Sequence, residues 1–189
     1  MKDPWDLERD PLTALREGDA SPFEAFVRSS TATFLAFFGR LGASSAEAED
    51  LVQDLFLKLF RYSETYEPQG RFGAYAFRVA RNAWIDRGRR RASRPPEAAG
   101  SMGVEEESPE QVSGVEEPGV RLARHEEAEA LRAALAELPD KHRLVFELGI
   151  LQELPYADIS AALEIPVGTV KSRMFHAVRK LREALGEDA

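Results

Sequence analysis

From Ile165 to Arg182 the chain carries no carboxylate, although its formal net charge is −8. Thr169, Lys171, Ser172, Arg173, His176, Arg179, Lys180 and Arg182 repeat on one side of a helical pattern, with Val170, Met174, Val178 and Leu181 on the other. Ammonium and guanidinium groups in that array can pair with phosphates and reach guanine acceptors. The Phe175 ring offers an apolar contact to a thymine methyl. Just upstream, Pro155 can open a shorter helix in which Ile159, Ala162 and Leu163 face inward, and Glu164 to Pro166 breaks it. Two helices so joined form a helix-turn-helix, whose second member enters the major groove. The plain alternative is a solvated amphipathic helix closing a helical domain.

A second set is Asp50, Gln53 and Asp54, opposite the apolar Leu55 and Leu59 on another helical pattern. Acid, amide and acid on one exposed face suit docking against a basic protein surface, or else are ordinary solvated positions. A third set interleaves Arg71, Arg78, Arg81, Arg87, Arg89, Arg90 and Arg91 with Phe72, Tyr75, Phe77 and Trp84, opposed in charge only by Asp86. Cations between rings bind single-stranded nucleic acid through phosphate pairing and base stacking. Some of those rings belong to the core on this pattern, but packing does not explain the excess of arginine.

Other chemistry finds little support. The chain has no cysteine, so thiolate catalysis, disulfides and cysteine-held zinc are excluded. His125, His142 and His176 lack metal-ligand spacing, and no glycine-rich phosphate loop occurs. The reading is therefore no enzyme, no cofactor and no metal. No apolar run approaches the ~20 residues of a membrane span, and Met1 to Leu12 does not have the form of an export signal. A cytoplasmic protein without membrane insertion is expected.

The elements that position these sets read as helices throughout, an all-α chain of two small helical domains. Ser21 to Glu24 has the form of a capping box and opens a helix to about Arg40, with Phe23, Phe26, Val27, Phe34, Phe37, Phe38 and Leu41 on its apolar face. Ser44 with Glu47 marks a second box, followed by Leu51, Val52, Leu55, Phe56, Leu59 and Phe60 as a core-facing stripe. A loop from Ser63 to Gly70 precedes a third helix, from about Arg71 to Arg91. Ser93 to Val120 then holds seven glutamates against one arginine, with Pro, Gly and Ser, and buries too little to order itself. Helical pattern resumes near Arg121, and Asp140 is a candidate N-cap. The boundaries expected are an extension over 1–20, a first domain over 21–92, a flexible acidic linker over 93–120 and a second domain over 121–189. Trp5 and Leu12 in the extension are candidates to pack on the first domain.

Three segments in this order, AEDLVQDLFLKLF at 48–60, FGAYAFRVARNAWIDRGRRR at 72–91 and LPYADISAALEIPVGTVKSR at 154–173, resemble bacterial RNA polymerase sigma factors of the extracytoplasmic-function (ECF) type. That resemblance implies a transcription initiation factor with two domains, regions 2 and 4. It implies that Asp50, Gln53 and Asp54 meet the β′ coiled coil of core polymerase, with further contacts to the β subunit. It places the promoter −10 element on Phe72, Tyr75, Arg78, Arg81, Asn82, Arg87, Arg89 and Arg90, with one flipped base near the 63–72 loop. The −35 element falls to Thr169, Lys171, Ser172, Arg173, Phe175, His176 and Arg179; His176 reads equally as a polar surface residue. An anti-sigma factor is an implied partner, with an apolar groove between the two regions to receive it. Arg78 and Val79 stand where housekeeping members carry a tryptophan pair. Glu164 stands where many relatives have glycine, so a left-handed residue there would be strained by about 1 kcal/mol. The rival reading is a stand-alone helix-turn-helix regulator, which leaves the arginine-rich third helix unexplained.

Overall fold

The computed structural model describes Trp5, Leu7 and residues 9–68, 72–93 and 129–186. Among these residues the architecture is helical, with no strand. The first half comprises α1 (Pro11–Arg16), α2 (Ser21–Arg40), α3 (Ser45–Tyr62) and α4 (Phe72–Ala92). The second comprises α5 (residues 129–136), α6 (Asp140–Phe146) continued by one π-helical turn (Glu147–Leu151), α7 (Tyr156–Leu163) and α8 (Val167–Leu185). The acidic segment expected as a linker lies outside the described residues beyond Ser93, as do Arg71 and His125.

Aromatic packing builds the first half. Phe26, Phe34, Phe37, Phe38 and Phe77 are completely buried, and the Trp5 ring lies 4.9 Å from Phe26 and 5.5 Å from Phe77. Trp5 and fully buried Leu12 thus tie the N-terminal segment to this core. Asp10 caps α1 by accepting from the Leu12 and Thr13 amides, and its other carboxylate oxygen accepts from the Tyr66 hydroxyl at 2.8 Å. α1 therefore braces the loop that follows α3.

The Ser44–Glu47 capping box is present in both directions. The one expected at Ser21 is not: α2 begins a residue earlier in the count, Ala20 is its cap, and Asp19 accepts the Ser21 amide instead. Asp140 is likewise the first helical residue, with Pro139 as cap. Phe60 also departs from its expected face, since its ring is 54% exposed. α3 is amphipathic over Leu51, Val52, Leu55 and Leu59, and a ring one step beyond Leu59 falls outside that stripe.

In the second half, α6 and α7 pack on α8 through Val145, Leu148, Ile159, Leu163, Val170, Met174 and Leu181, all buried. The two halves touch along α4 and α7. This contact decides how the candidate sites are presented.

Candidate nucleic-acid and polymerase interfaces

α8 holds its core face and its polar face apart as its periodicity predicts. Val170, Met174, Ala177 and Leu181 are buried, while Lys171, Ser172, Phe175, His176 and Arg179 are exposed and Thr169 and Arg173 half-exposed. Phe175 is 65% exposed, the largest value among the exposed big apolar side chains. An apolar ring left in water between cations is costly in isolation and suits a site completed by a ligand. The turn before α8 is built by Glu164 in the left-handed conformation (φ 55°, ψ 43°), and the Ser160 hydroxyl donates to the Ile165 carbonyl at 2.5 Å. That residue accepts the strain of about 1 kcal/mol which glycine would avoid.

His142 and His176, read from sequence as lying apart, are brought together with ring centroids 6.0 Å apart. Burial, then Lys141, His176, Lys180 and Arg173, push the His142 imidazole below its usual range. Two imidazoles do not make a metal centre, and the described residues hold no cluster of three or more ligating groups.

On α3, Asp50 and Gln53 are exposed and Asp54 half-exposed, one helical turn apart on the same side. Asp54 pairs with Lys58 at 2.8 Å. Beside them Phe23, Gln53, Phe56, Leu57 and Phe60 line an open apolar hollow of about 380 Å³.

The residues expected to meet single-stranded DNA divide into distinct environments. Phe72 is in the core. Tyr75 and Arg78 are half-buried, with the guanidinium 5.1 Å from the ring centroid. Burial raises the Tyr75 hydroxyl above its usual range and Arg78 opposes that shift. Arg87 is turned inward to Glu47 at 2.6 Å and stacks 4.6 Å over Trp84. Burial works to raise the Glu47 carboxyl, but Arg87 and the Ser44 amide and hydroxyl outweigh it and hold the group below its usual range. Asn82, Arg89 and Arg90 are exposed. Arg81 donates to Glu164 of the second half at 3.1 Å.

A cavity of about 300 Å³ lies between these elements, lined by Thr65, Tyr66, Glu67, Ala74, Tyr75, Arg78 and, from α7, Ala161. The groove expected between the two halves is thus filled in part by their direct contact. Sequence reasoning missed Glu147. Its side chain is 2% exposed, and Arg40 of the first half donates to both its oxygens, at 2.8 and 2.6 Å. The signal was a glutamate set among Leu144, Val145, Phe146 and Leu148, where the helical pattern asks for an apolar residue.

Comparison with known proteins identifies the two halves. Residues 26–94 match the Sigma-70 region 2 family and residues 128–181 the Sigma-70 region 4 family. The ECF RNA polymerase sigma factor SigW of Bacillus subtilis is 30% identical over 177 residues, 92% of this chain and 94% of that protein. The chain belongs to the ECF sigma factors. SigL of Mycobacterium tuberculosis is 35% identical over 170 residues, covering 89% and 92% of the two chains. The fold of this sigma factor is also that of RpoE from Bartonella quintana, solved in complex with the anti-sigma factor NepR (TM-score 0.71, 24% identity, covering 88% and 98%). Its first half is accordingly region 2, its second region 4, and it is a polymerase-associated transcription factor. No described helix of the sigma factor is long and apolar enough to cross a membrane.

Proposed function

We propose that this sigma factor docks on core polymerase through Asp50, Gln53 and Asp54, reads the −35 element with α8, and holds the opened −10 strand on α4. The exposed face of α8, which has no carboxylate from Val167 to Arg182, carries the reading. Its cations and Phe175 project from a helix whose opposite face is fixed in the core, so the array reaches a groove as one rigid unit. Lys171, Ser172, Arg173, Phe175 and His176 are assigned to base edges, and Thr169 and Arg179 to phosphates.

On α4, the cavity beside Tyr75 and Arg78 receives a flipped base, with the ring and guanidinium as stacking walls. Asn82, Arg89 and Arg90 lie exposed for the strand, and Arg81 joins them once freed from Glu164. Arg87 acts from behind, holding α4 to the start of α3. The carboxylates of Asp50 and Asp54 face basic side chains of the β′ coiled coil, setting orientation more than bulk affinity, with the β subunit contacting the chain elsewhere. The chain works in the cytoplasm, where core polymerase and promoter DNA are. By analogy with RpoE bound to NepR, an anti-sigma factor is its regulator.

Reconstitution with sigma-free core polymerase on genomic promoter fragments tests the assignment. Defined transcripts that disappear in Asp50→Lys/Asp54→Lys and in Lys171→Ala/Arg173→Ala are expected. Duplex binding by the chain alone, with no association with core polymerase, would overturn it.

A further inference from the structure

We propose that α1 is a positioning element for promoter recognition: Asp10 and Arg16 hold Tyr66 where it and Tyr75 receive the unstacked base of the −10 strand. The inference rests on the assignment of the Tyr75–Arg78 surface to that base, and it gives the N-terminal segment a part in reading it.

The loop after α3 must shape that surface. Of its described residues, Ser63 to Pro68, only Ser63 and Tyr66 are buried. The Ser63 hydroxyl donates locally, to the Phe60 carbonyl at 2.7 Å, and the Thr65 amide donates to Tyr62 within the same turn. Tyr66 is the residue that reaches further. Its ring lies 4.7 Å from the ring of Tyr75, which in turn lies under the Arg78 guanidinium. The place of Tyr66 therefore sets one end of the stacking wall.

That place is set by α1, which grips Tyr66 at both ends. One Asp10 oxygen accepts from the Leu12 and Thr13 amides at 3.0 Å, and the other accepts from the Tyr66 hydroxyl at 2.8 Å. A single carboxylate thus caps the helix and aims the ring. From the last turn of α1, Arg16 donates to the Tyr66 carbonyl at 3.1 Å. The acids nearest to it in sequence, Glu17 and Asp19, pair with Arg9 instead. A helix of six residues has little stability of its own. Packing holds this one, through fully buried Leu12 and Ala14 and through Trp5, 5.5 Å from Phe77 of α4. The brace therefore ties the loop to the helix that carries Tyr75 and Arg78. A ring ordered before the base arrives spares the complex that ordering cost, and stacking depends on where the ring lies. Loosening the brace should weaken base discrimination while leaving polymerase docking and −35 contacts intact.

Holoenzyme is reconstituted on one promoter recovered from genomic fragments and on derivatives substituted singly across its −10 element. All assays run at a temperature where circular dichroism shows every variant folded. Asp10→Ser keeps a helix cap but is too short to reach Tyr66 as well, and Arg16→Ala changes an exposed position. Asp10→Ser/Arg16→Ala should lower discrimination between the parent and substituted −10 sequences about fivefold, with binding of core polymerase and of a −35 duplex unchanged. Tyr66→Phe, which removes only the hydroxyl, should show part of that loss. Arg16→Lys, which keeps a donor, should recover most of what Arg16→Ala loses. Unchanged discrimination in the double variant would overturn the proposal. So would an equal loss of core polymerase binding, which would make α1 a support of the whole domain. Tyr75→Ala/Arg78→Ala separates the two levels. If that holoenzyme discriminates as the parent does, the −10 assignment fails and the proposal with it. If it loses discrimination while Asp10→Ser/Arg16→Ala retains it, the brace alone fails.

Discussion

The two helices proposed to face DNA in this sigma factor treat their charges in opposite ways. On α8, Lys171 and Arg173 form no ion pair among the described residues, and Arg179 meets only Glu183 at 3.5 Å. On α4 three of the arginines are already engaged: Arg78 lies over Tyr75, Arg81 pairs with Glu164 and Arg87 with Glu47. Region 4 thus leaves its proposed DNA face largely unpaired, whereas region 2 pairs much of its own with side chains of the same chain. A duplex can be met at any moment, but an opened strand exists only after polymerase has melted the promoter. A cation face left bare for that strand would otherwise attract nucleic acid indiscriminately.

The largest effect expected from breaking this contrast is on the exposed side. Lys171→Ala/Arg173→Ala should cost roughly 30-fold or more in transcription from −35-dependent promoters, since two base contacts worth about 1–3 kcal/mol each are lost. Phosphate and base contributions separate in a salt titration of holoenzyme binding. Arg179→Ala should lower affinity on all promoters alike and flatten the salt slope by about one unit. An unchanged slope would place Arg179 against polymerase.

On the paired side the expected change is smaller and structural. Glu47→Gln keeps a capping-box residue at N3 but replaces the Arg87 ion pair with a neutral contact, and should cost about 1 kcal/mol of region 2 stability by thermal unfolding. Because the Glu47 carboxyl is held below its usual range in the fold, its contribution is complete above the ordinary carboxylate pKa and is lost as pH falls through the folded value. The Gln variant should therefore approach the parent in stability at the acid end, and a constant difference across pH would show that Arg87 is held by Trp84 alone.

How far sequence could anticipate this contrast follows from what each side rests on. The α8 face was legible because helical periodicity assigns core and surface without knowledge of neighbours: Val170, Met174 and Leu181 are inside and the cations outside. The Ser44–Glu47 box was legible for the same reason, being a local exchange between residues three apart. Arg81 and Arg87 were legible as cations but not as engaged ones, because Glu164 and Glu47 are distant in sequence and only packing brings them near. Glu147 is the extreme case, a buried carboxylate whose partner comes from the other domain. Local competition explains the smaller differences. Asp19 reaches the Ser21 amide, so Ser21 need not cap, and Pro139 takes the cap position expected for Asp140.

The smallest predicted effect concerns the one place where the exposed side has a half-covered titrating group. His142 on α6 faces His176, Lys180 and Arg173 of α8, with Lys141 beside it, and its imidazole is pushed below the usual range. The folded state then binds fewer protons at this site than the unfolded chain does. Stability of region 4 is full above the ordinary histidine pKa of about 6.5 and declines as pH falls below it, levelling once the folded group is itself protonated. Thermal unfolding followed between pH 7.5 and about 5 should show that decline in the parent and less of it in His142→Gln. DNA phosphates near α8 work in the opposite sense, since an anion beside this cluster favours the charged His142 imidazole. Bound promoter DNA should therefore shallow the acid decline, and a decline that steepens on binding would place both histidines away from the phosphates and leave α8 to meet DNA through its arginines and Phe175.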